Sequence, residues 1–117
     1  MTSGGTLTNV INACNNPVRL VESGPAGGAI LATSIAEDLK LDKVISFDMG
    51  GTTAKITIIE NQKAIKAREF EVDREARFKK GSGLPLRIPV VEMVEIGAGG
   101  GSIARVNKLV QIITGPD

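Results

Sequence analysis

The sequence contains no histidine, and this absence removes several kinds of chemistry at once. Without an imidazole the chain has no histidine base for a serine triad, and most zinc sites lose their usual ligand. The single cysteine, Cys14, cannot form a disulfide within the chain or build a thiolate metal cluster. Any metal held by these residues is therefore expected to be a hard, oxygen-liganded ion such as Mg²⁺.

Aromatic residues and excess charge are also scarce. Tryptophan and tyrosine are absent and there are three phenylalanines, so the core is expected to be aliphatic. The net charge of +1 gives no reason to expect nucleic acid or an acidic membrane as a partner. No signal-peptide pattern and no apolar run of about 18 residues is present, so we expect a cytoplasmic protein without a membrane partner. The 117 residues, 42% of them hydrophobic, are enough for one domain.

Glycine is the residue in surplus. There are 14 glycines in 117 residues, about 12% against a usual level of roughly 7%. Most of them fall in clusters, of which those at 24–28, 50–51 and 97–101 adjoin predicted helices or strands. The clusters are the natural places to look for close approach between backbone and ligand.

Residues 26–40 have the pattern of an amphipathic helix. Leu31, Ile35 and Leu39 recur at intervals of four residues and are predicted to face the core. The small residues at 26–29 would allow the start of this helix to lie close to another backbone.

Strand patterns occupy most of the remaining chain. The apolar run 44–47 predicts a central strand buried on both faces, and alternation over 54–59 predicts a second strand. With a third strand at 64–72, residues 44–72 are predicted to form a three-stranded β-meander. Weaker patterns predict a strand at 17–22, a strand at 90–96 that places Glu92 and Glu95 at exposed positions, and a hairpin within 102–113. The fold class is therefore α/β, with a mixed α+β sheet.

The turn between the first two predicted strands reads SFDMGGTTAK (46–55). It is either a tight turn with an incidental acid or half of a phosphate-binding site. Gly50 and Gly51 permit unusual backbone angles, so successive N–H groups can converge on an anion, and two threonines add hydroxyl donors. Asp48 repels phosphate directly, but it suits the site if Mg²⁺ or a metal-bound water lies between them. Lys55 points either to the ligand or to solvent.

Two other glycine clusters remain open to two interpretations each. The stretch GAGGGS (97–102) lacks the lysine of a Walker A loop and the sixth-position glycine of a dinucleotide fingerprint. It is either a flexible turn or part of a nucleotide or substrate cleft, with candidate residues Gly97, Gly99, Gly100, Gly101 and Ser102. Ser23 or Gly24 can cap the predicted helix 26–40, and the N-terminus of that helix either binds an anion or is simply capped.

Five separated motifs resemble the hydantoinase A family of the hydantoinase/oxoprolinase group. They are MTSGG, VESGPAGGAILA, SFDMGGTTAK, RFKKGSGLPLRIPVVEMVEIGAGGGSIARV and TGP, and their order and spacing extend the resemblance over essentially the whole chain. The motif DMGGTTAK is more similar to the N-methylhydantoinase branch. Oxoprolinases and carboxylase subunits more often read GGTSTDV there, and this sequence departs from that pattern at Lys55.

The resemblance implies a ribonuclease-H-like, actin-like ATPase fold in which two halves each supply a phosphate hairpin. Residues 48–53 would be the second hairpin, and helix 26–40 would connect the halves. The first hairpin would lie in an N-terminal domain, so residues 1–117 are expected to be a fragment of a larger hydantoinase A-type domain and inactive alone. The phosphate-binding residues implied are Asp48, Gly50, Gly51, Thr52, Thr53 and Lys55, with Asp48 organising Mg²⁺ indirectly.

The activity implied for the parent is ring opening of hydantoin-like cyclic amides coupled to ATP cleavage, with ATP and Mg²⁺ as cofactors. The mechanistic hypothesis is phosphoryl transfer to the carbonyl oxygen of the ring. The alternatives are an ATP-binding subunit of an acetone-carboxylase-like or otherwise partner-dependent complex, and a 5-oxoprolinase. The partners implied are the remainder of the parent chain and a hydantoinase B-type subunit.

Overall fold

A long antiparallel hairpin forms the centre of the fold. In the computed structural model, which describes residues 1–72, 74–75 and 79–115, strands β1 (Lys43–Met49) and β2 (Ala54–Glu60) pair along their whole length, from Lys43 opposite Glu60 to Met49 opposite Ala54. Continuous apolar residues in β1 and alternating ones in β2 favour extended backbone, and the glycines between them allow the chain to reverse. The predicted hairpin is thus confirmed.

Two α-helices and a 3₁₀ helix precede this hairpin, and short strands follow it. Helix α1 spans Val10–Asn15, a 3₁₀ helix spans Pro17–Leu20, and helix α2 spans Ser23–Asp38. The later strands are β3 (Lys63–Ala64), β4 (Lys66–Ala67), β5 (Phe70–Val72), β6 (Leu84–Leu86), β7 (Val90–Val91), β8 (Val94–Ile96), β9 (Ile103–Val106) and β10 (Ile112–Gly115). All described strand pairs are antiparallel: β1–β2, β2–β3, β2–β8, β4–β7, β5–β6 and β9–β10. The fold is a mixed α/β arrangement with antiparallel sheets.

Three predicted strands differ from the structure. Residues 17–20 form a 3₁₀ helix because Pro17 fixes a helical φ at its first position. The predicted third strand, 64–72, is broken into β3, β4 and β5, each with a different partner, and only β3 extends the β1–β2 hairpin. The predicted strand 90–96 is divided into β7 and β8 in the same way. The hairpin predicted within 102–113 is present as β9 and β10.

Helix α2 begins and ends earlier than predicted and turns a different face inward. Ser23 and Gly24 are its first residues, rather than caps. Leu31, Ile35 and Leu39, which were predicted to face the core, are between 50% and 64% exposed. The buried positions are instead alanines, Ala26, Ala29 and Ala36.

Strand β1 is also less covered than its apolar run predicted. Ile45 is 73% exposed and Phe47 is 57% exposed, so the interpretation of a strand buried on both faces is wrong for this chain. The small hydrophobic core lies on the other side, where Ala26 and Ala29 pack with Val91, Ala64 and Met93. The radius of gyration, 16.3 Å, agrees with so small a core, since a compact domain of about 100 residues has about 13 Å.

Cys14 is exposed on helix α1. The described ranges contain no helix that combines the length and the apolar character needed to cross a lipid bilayer.

The loop after β5 is held by Glu71. Its Oε1 accepts the Gly81 N–H at 2.8 Å, and its Oε2 accepts Nε of Arg74 at 3.0 Å. The hydrogen bond from Gly81 is the main cause that lowers the pKa of Glu71; burial raises it, and the charge of Arg74 adds to the lowering.

This contact predicts a pH dependence of stability. Because the pKa of Glu71 is lower in the folded state, its stabilisation is present above the unfolded pKa, about 4.5, and is lost as pH falls through the folded value. Glu71→Gln should therefore flatten the acid side of a Tm–pH profile of the protein. Glu69→Gln is the control, since among the described residues the ion pair of its carboxylate is with the exposed Arg87, at 3.6 Å. Equal profiles for Glu71→Gln and wild type would contradict the assignment.

Candidate functional site

The loop that joins β1 to β2 has four residues, Gly50 to Thr53. It is closed by a hydrogen bond from the Gly50 N–H to the Thr53 carbonyl, 2.9 Å long. Asp48 lies one residue before the end of β1, opposite Lys55 of β2. The hairpin therefore presents a carboxylate, a glycine turn and an ammonium at one end.

A second glycine loop, residues 97–102, packs directly on the first. The N–H groups of Gly100 and Gly101 donate to the carbonyls of Gly50 and Gly51, both at 2.9 Å. A Cβ on Gly99 would lie 2.7 Å from the backbone carbon and oxygen of Gly51, so only glycine fits there. The two loops form one unit, which we call the glycine interlock.

The two loops of the glycine interlock differ in how their N–H groups are used. In loop 97–102 four N–H groups are used: those of Gly100 and Gly101 by the first loop, that of Gly99 by Ser102 Oγ at 3.0 Å, and that of Ser102 by the Gly99 carbonyl at 2.9 Å. In the first loop no described hydrogen bond uses the N–H of Gly51, Thr52 or Thr53. The second loop therefore holds the carbonyls of the first, and three consecutive N–H groups of the first loop have no described acceptor.

Asp48 lies beside the start of helix α2. A Cβ on Gly28 would be 3.2 Å from Asp48 Oδ2, so the small residues of this helix make room for the carboxylate. A cavity of about 260 Å³ opens here, lined by Gly24, Pro25, Asp48, Gly50, Thr53 and Lys55. The structure thus brings together Gly24 and the hairpin residues, whereas Ser23, Gly51, Thr52 and residues 97–102 do not line the cavity.

Lys55 is the centre of a charged cluster. Its Nζ donates to Thr53 Oγ1 at 2.8 Å and to Glu95 Oε1 at 3.0 Å, and lies 3.6 Å from Glu22 Oε2. Its side chain is only 13% exposed. Because Thr53 Oγ1 accepts from Lys55, the Thr53 hydroxyl proton remains available to donate to another acceptor.

The cluster fixes the charge of Lys55. Burial is the largest single influence on the pKa of Lys55 and lowers it, but the hydrogen bond to Glu95 and the charges of both carboxylates together raise the pKa above its ordinary 10.5. The ammonium therefore stays charged at neutral pH between two carboxylates, which excludes a role as a general base.

The sequence analysis missed Glu22 and took Glu95 as an exposed strand position. Glu95 does lie exposed on β8, directly opposite Lys55 in the β2–β8 pairing. Glu22 precedes helix α2 with a left-handed φ of 61°, a conformation that costs energy for a non-glycine residue. Neither contact has a local sequence signal, because both depend on long-range pairing.

Removing Lys55 should destabilise the protein measurably. Lys55→Gln leaves two carboxylates close together without their cation, so the free energy of unfolding should fall by about 1–2 kcal/mol. Lys43→Gln is a matched control: Lys43 also faces a glutamate across the β1–β2 ladder, Glu60, but no described ion pair joins them. Urea unfolding of both variants checks this. Equal losses would show that the cluster adds no stability.

The possible ligands for Mg²⁺ near the hairpin are carboxylate oxygens. Within residues 1–72, 74–75 and 79–115, no group of three or more carboxylate or thiol side chains converges as a metal cage. Mg²⁺ commonly uses one or two carboxylates together with waters and substrate phosphates. Asp48 beside a loop with open N–H donors fits that indirect mode of binding.

Comparison with known proteins gives one family. The family model described as Hydantoinase/oxoprolinase matches residues 1–117. An uncharacterized protein, MJ0964, from Methanocaldococcus jannaschii is 43% identical over 99% of this chain. The caprolactamase subunit alpha of Pseudomonas jessenii is 28% identical over 97% of the chain, and the acetone carboxylase beta subunit of Xanthobacter autotrophicus is 30% identical over 99%.

The solved structures include a similar fold. A nucleotide-free structure of acetone carboxylase, described with its mechanism of ATP-dependent acetone carboxylation, superposes with a TM-score of 0.68 at 29% identity and covers 99% of this chain. The chain spans 15% to 18% of the length of these relatives.

Proposed function

The chain belongs to the hydantoinase/oxoprolinase family, and from that premise we propose that it supplies one phosphate-binding hairpin of an ATP-dependent enzyme that opens cyclic amides. The substrates proposed are hydantoin-like rings, and the chain is proposed to be a segment of a longer protein with an actin-like ATPase domain. Its short span relative to the family members it matches supports this.

One observation carries the proposal. The loop Gly50 to Thr53 keeps unused N–H donors while the second glycine loop holds its carbonyls. A turn whose only role is to reverse the chain does not need a second loop to fix it. Preorganised backbone donors between a carboxylate and a lysine are what a transferring phosphoryl group requires.

The residues of the site have separable roles in this proposal. The N–H groups of Gly51 to Thr53 and the Thr53 hydroxyl hold phosphate oxygens, and Lys55 supplies the positive charge beside them. Asp48 would hold Mg²⁺ beside the turn, and the ion would supply charge neutralisation for the phosphate oxygens. When bound, ATP and Mg²⁺ supply the free energy and the electrophilic phosphorus for opening an unstrained ring.

A second candidate function is that of an ATP-binding subunit whose chemistry needs a partner chain. The names of two relatives favour it, because caprolactamase alpha and acetone carboxylase beta are both subunits. The hairpin would hold nucleotide in the same way, while the second subunit would bind the substrate. A 5-oxoprolinase stays a further alternative within the same scheme.

The full-length protein, purified without a second subunit, tests these alternatives. We expect ATP hydrolysis that depends on added N-methylhydantoin, with 5-oxoproline and caprolactam assayed in parallel. Turnover that appears only after a hydantoinase B-type subunit is added would favour the partner-dependent function. Absence of nucleotide binding in both preparations would refute the proposed hairpin role.

A further inference from the structure

We propose that a second cavity, formed around the turn of residues 2–6, binds a small oxyanion. This cavity has a volume of about 270 Å³ and is lined by Thr2, Gly4, Thr6, Arg19, Lys66 and Pro89. It shares no lining residue with the hairpin cavity. The inference does not depend on the proposed function of the hairpin.

The buried Ser3 fixes the walls of this cavity. Its N–H donates to the Arg19 carbonyl at 2.8 Å, and its Oγ donates to the same carbonyl and contacts that of Val21. The Ser3 carbonyl accepts the Val91 N–H at 3.0 Å, and Val91 pairs with Lys66 across β4 and β7. One residue that is 1% exposed therefore holds both cation-bearing segments at the cavity.

The turn itself offers donors. Thr2 Oγ1 and Thr6 Oγ1 lie 2.9 Å apart, and Thr2 Oγ1 also accepts the Thr6 N–H at 3.3 Å. Two hydroxyls carry two protons and their mutual hydrogen bond uses one, so one O–H is left to donate. The Gly4 N–H takes part in no described hydrogen bond, and a Cβ at this position would lie close to the Pro89 oxygen, at 3.2 Å.

The charge at the cavity has one sign. Arg19 and Lys66 are among its lining residues, no acid is, and no described ion pair involves either of them. Two cations with no described counterion raise the local potential and attract an anion. Arg19 and Lys66 can each turn a charged donor toward the cavity, and with a threonine hydroxyl these donors match the oxygens of a phosphate or a carboxylate.

Thermal-shift titrations of the full-length protein test the site. Sodium phosphate and sodium acetate are added separately, each against sodium chloride of equal ionic strength, and the rise in Tm gives an apparent Kd. We expect at least one of the two oxyanions to bind, and the tighter one identifies the ligand as a phosphate or a carboxylate. Arg19→Gln and Lys66→Gln should each weaken that binding by about tenfold or more.

Two control variants distinguish binding at this cavity from other causes of a rise in Tm. Lys63→Gln removes an equal charge from a neighbouring exposed position and should change the apparent Kd less than about twofold. Thr53→Ala, in the hairpin cavity, should leave it unchanged as well. The inference is overturned if neither anion raises Tm beyond chloride, if Lys63→Gln weakens binding as much as Lys66→Gln, or if Thr53→Ala alone abolishes it.

Discussion

Asp48→Asn in the full-length protein is expected to lower kcat for ATP-dependent turnover by about a hundredfold or more, with little change in Tm. Asparagine keeps the shape of the side chain, so the Gly28 contact at the start of helix α2 survives. What is lost is the negative charge that, in the proposed site, would orient a metal ion beside the glycine turn. Because Asp48 is exposed and joins no described ion pair, stability should hardly respond.

A nearby acid provides the control for Asp48. Asp42 precedes β1 and is also exposed, and its backbone carbonyl, which accepts the Asn61 N–H, is kept in Asp42→Asn. That variant should retain wild-type kcat and Mg²⁺ dependence. Steady-state kinetics over a range of Mg²⁺ concentrations compares the two. If Asp48→Asn turned over ATP at the wild-type rate, the assignment of Asp48 to the metal would be wrong.

Gly99→Ala should have the largest effect on both stability and nucleotide binding. The new methyl group would lie 2.7 Å from backbone atoms of Gly51 and Thr52, and backbone cannot rotate away as a side chain can. Separating the two loops breaks the hydrogen bonds from Gly100 and Gly101. We expect a loss of about 2–3 kcal/mol in the free energy of unfolding and at least a tenfold weaker affinity for nucleotide.

Gly100→Ala is the matched control for Gly99→Ala. A Cβ on Gly100 would lie 3.7 Å from the Gly50 oxygen, an ordinary van der Waals distance, so Gly100→Ala should be tolerated. Both variants add the same methyl group in the same loop. Denaturant unfolding and nucleotide titration of the pair measure the difference, and equal behaviour would mean that the loops are not interlocked as described.

Elements whose structure depends on neighbours along the chain can be predicted from this sequence. The β1–β2 hairpin was predicted because an apolar run, a glycine turn and an alternating run are adjacent. The candidate residues Asp48 and Thr53 followed from the same turn, and the structure places both on one cavity. Local patterns determine such elements because their hydrogen bonds join residues close in sequence.

Burial and strand partners could not be predicted from the sequence, because they depend on contacts between residues that are distant along the chain. The pattern predicts that Leu31 and Leu39 are buried, but both are exposed and helix α2 buries alanines instead. The strand predicted at 64–72 is divided because its parts pair with β2, β7 and β6 in turn. The contact of Glu22 with Lys55 and the docking of loop 97–102 likewise join distant residues, and periodicity carries no information on them.

The glycine interlock also has a consequence for the order of folding. The hydrogen bond from Gly100 to Gly50 closes a loop of about 50 residues, whereas the β1–β2 hairpin closes by itself. Contacts between distant residues form late, because their loop-closure entropy must first be overcome. A nascent chain with its hairpin already formed would therefore still lack the support of the second glycine loop. If the proposed hairpin site binds nucleotide, the nucleotide should then slow unfolding of the finished protein much more than it speeds folding.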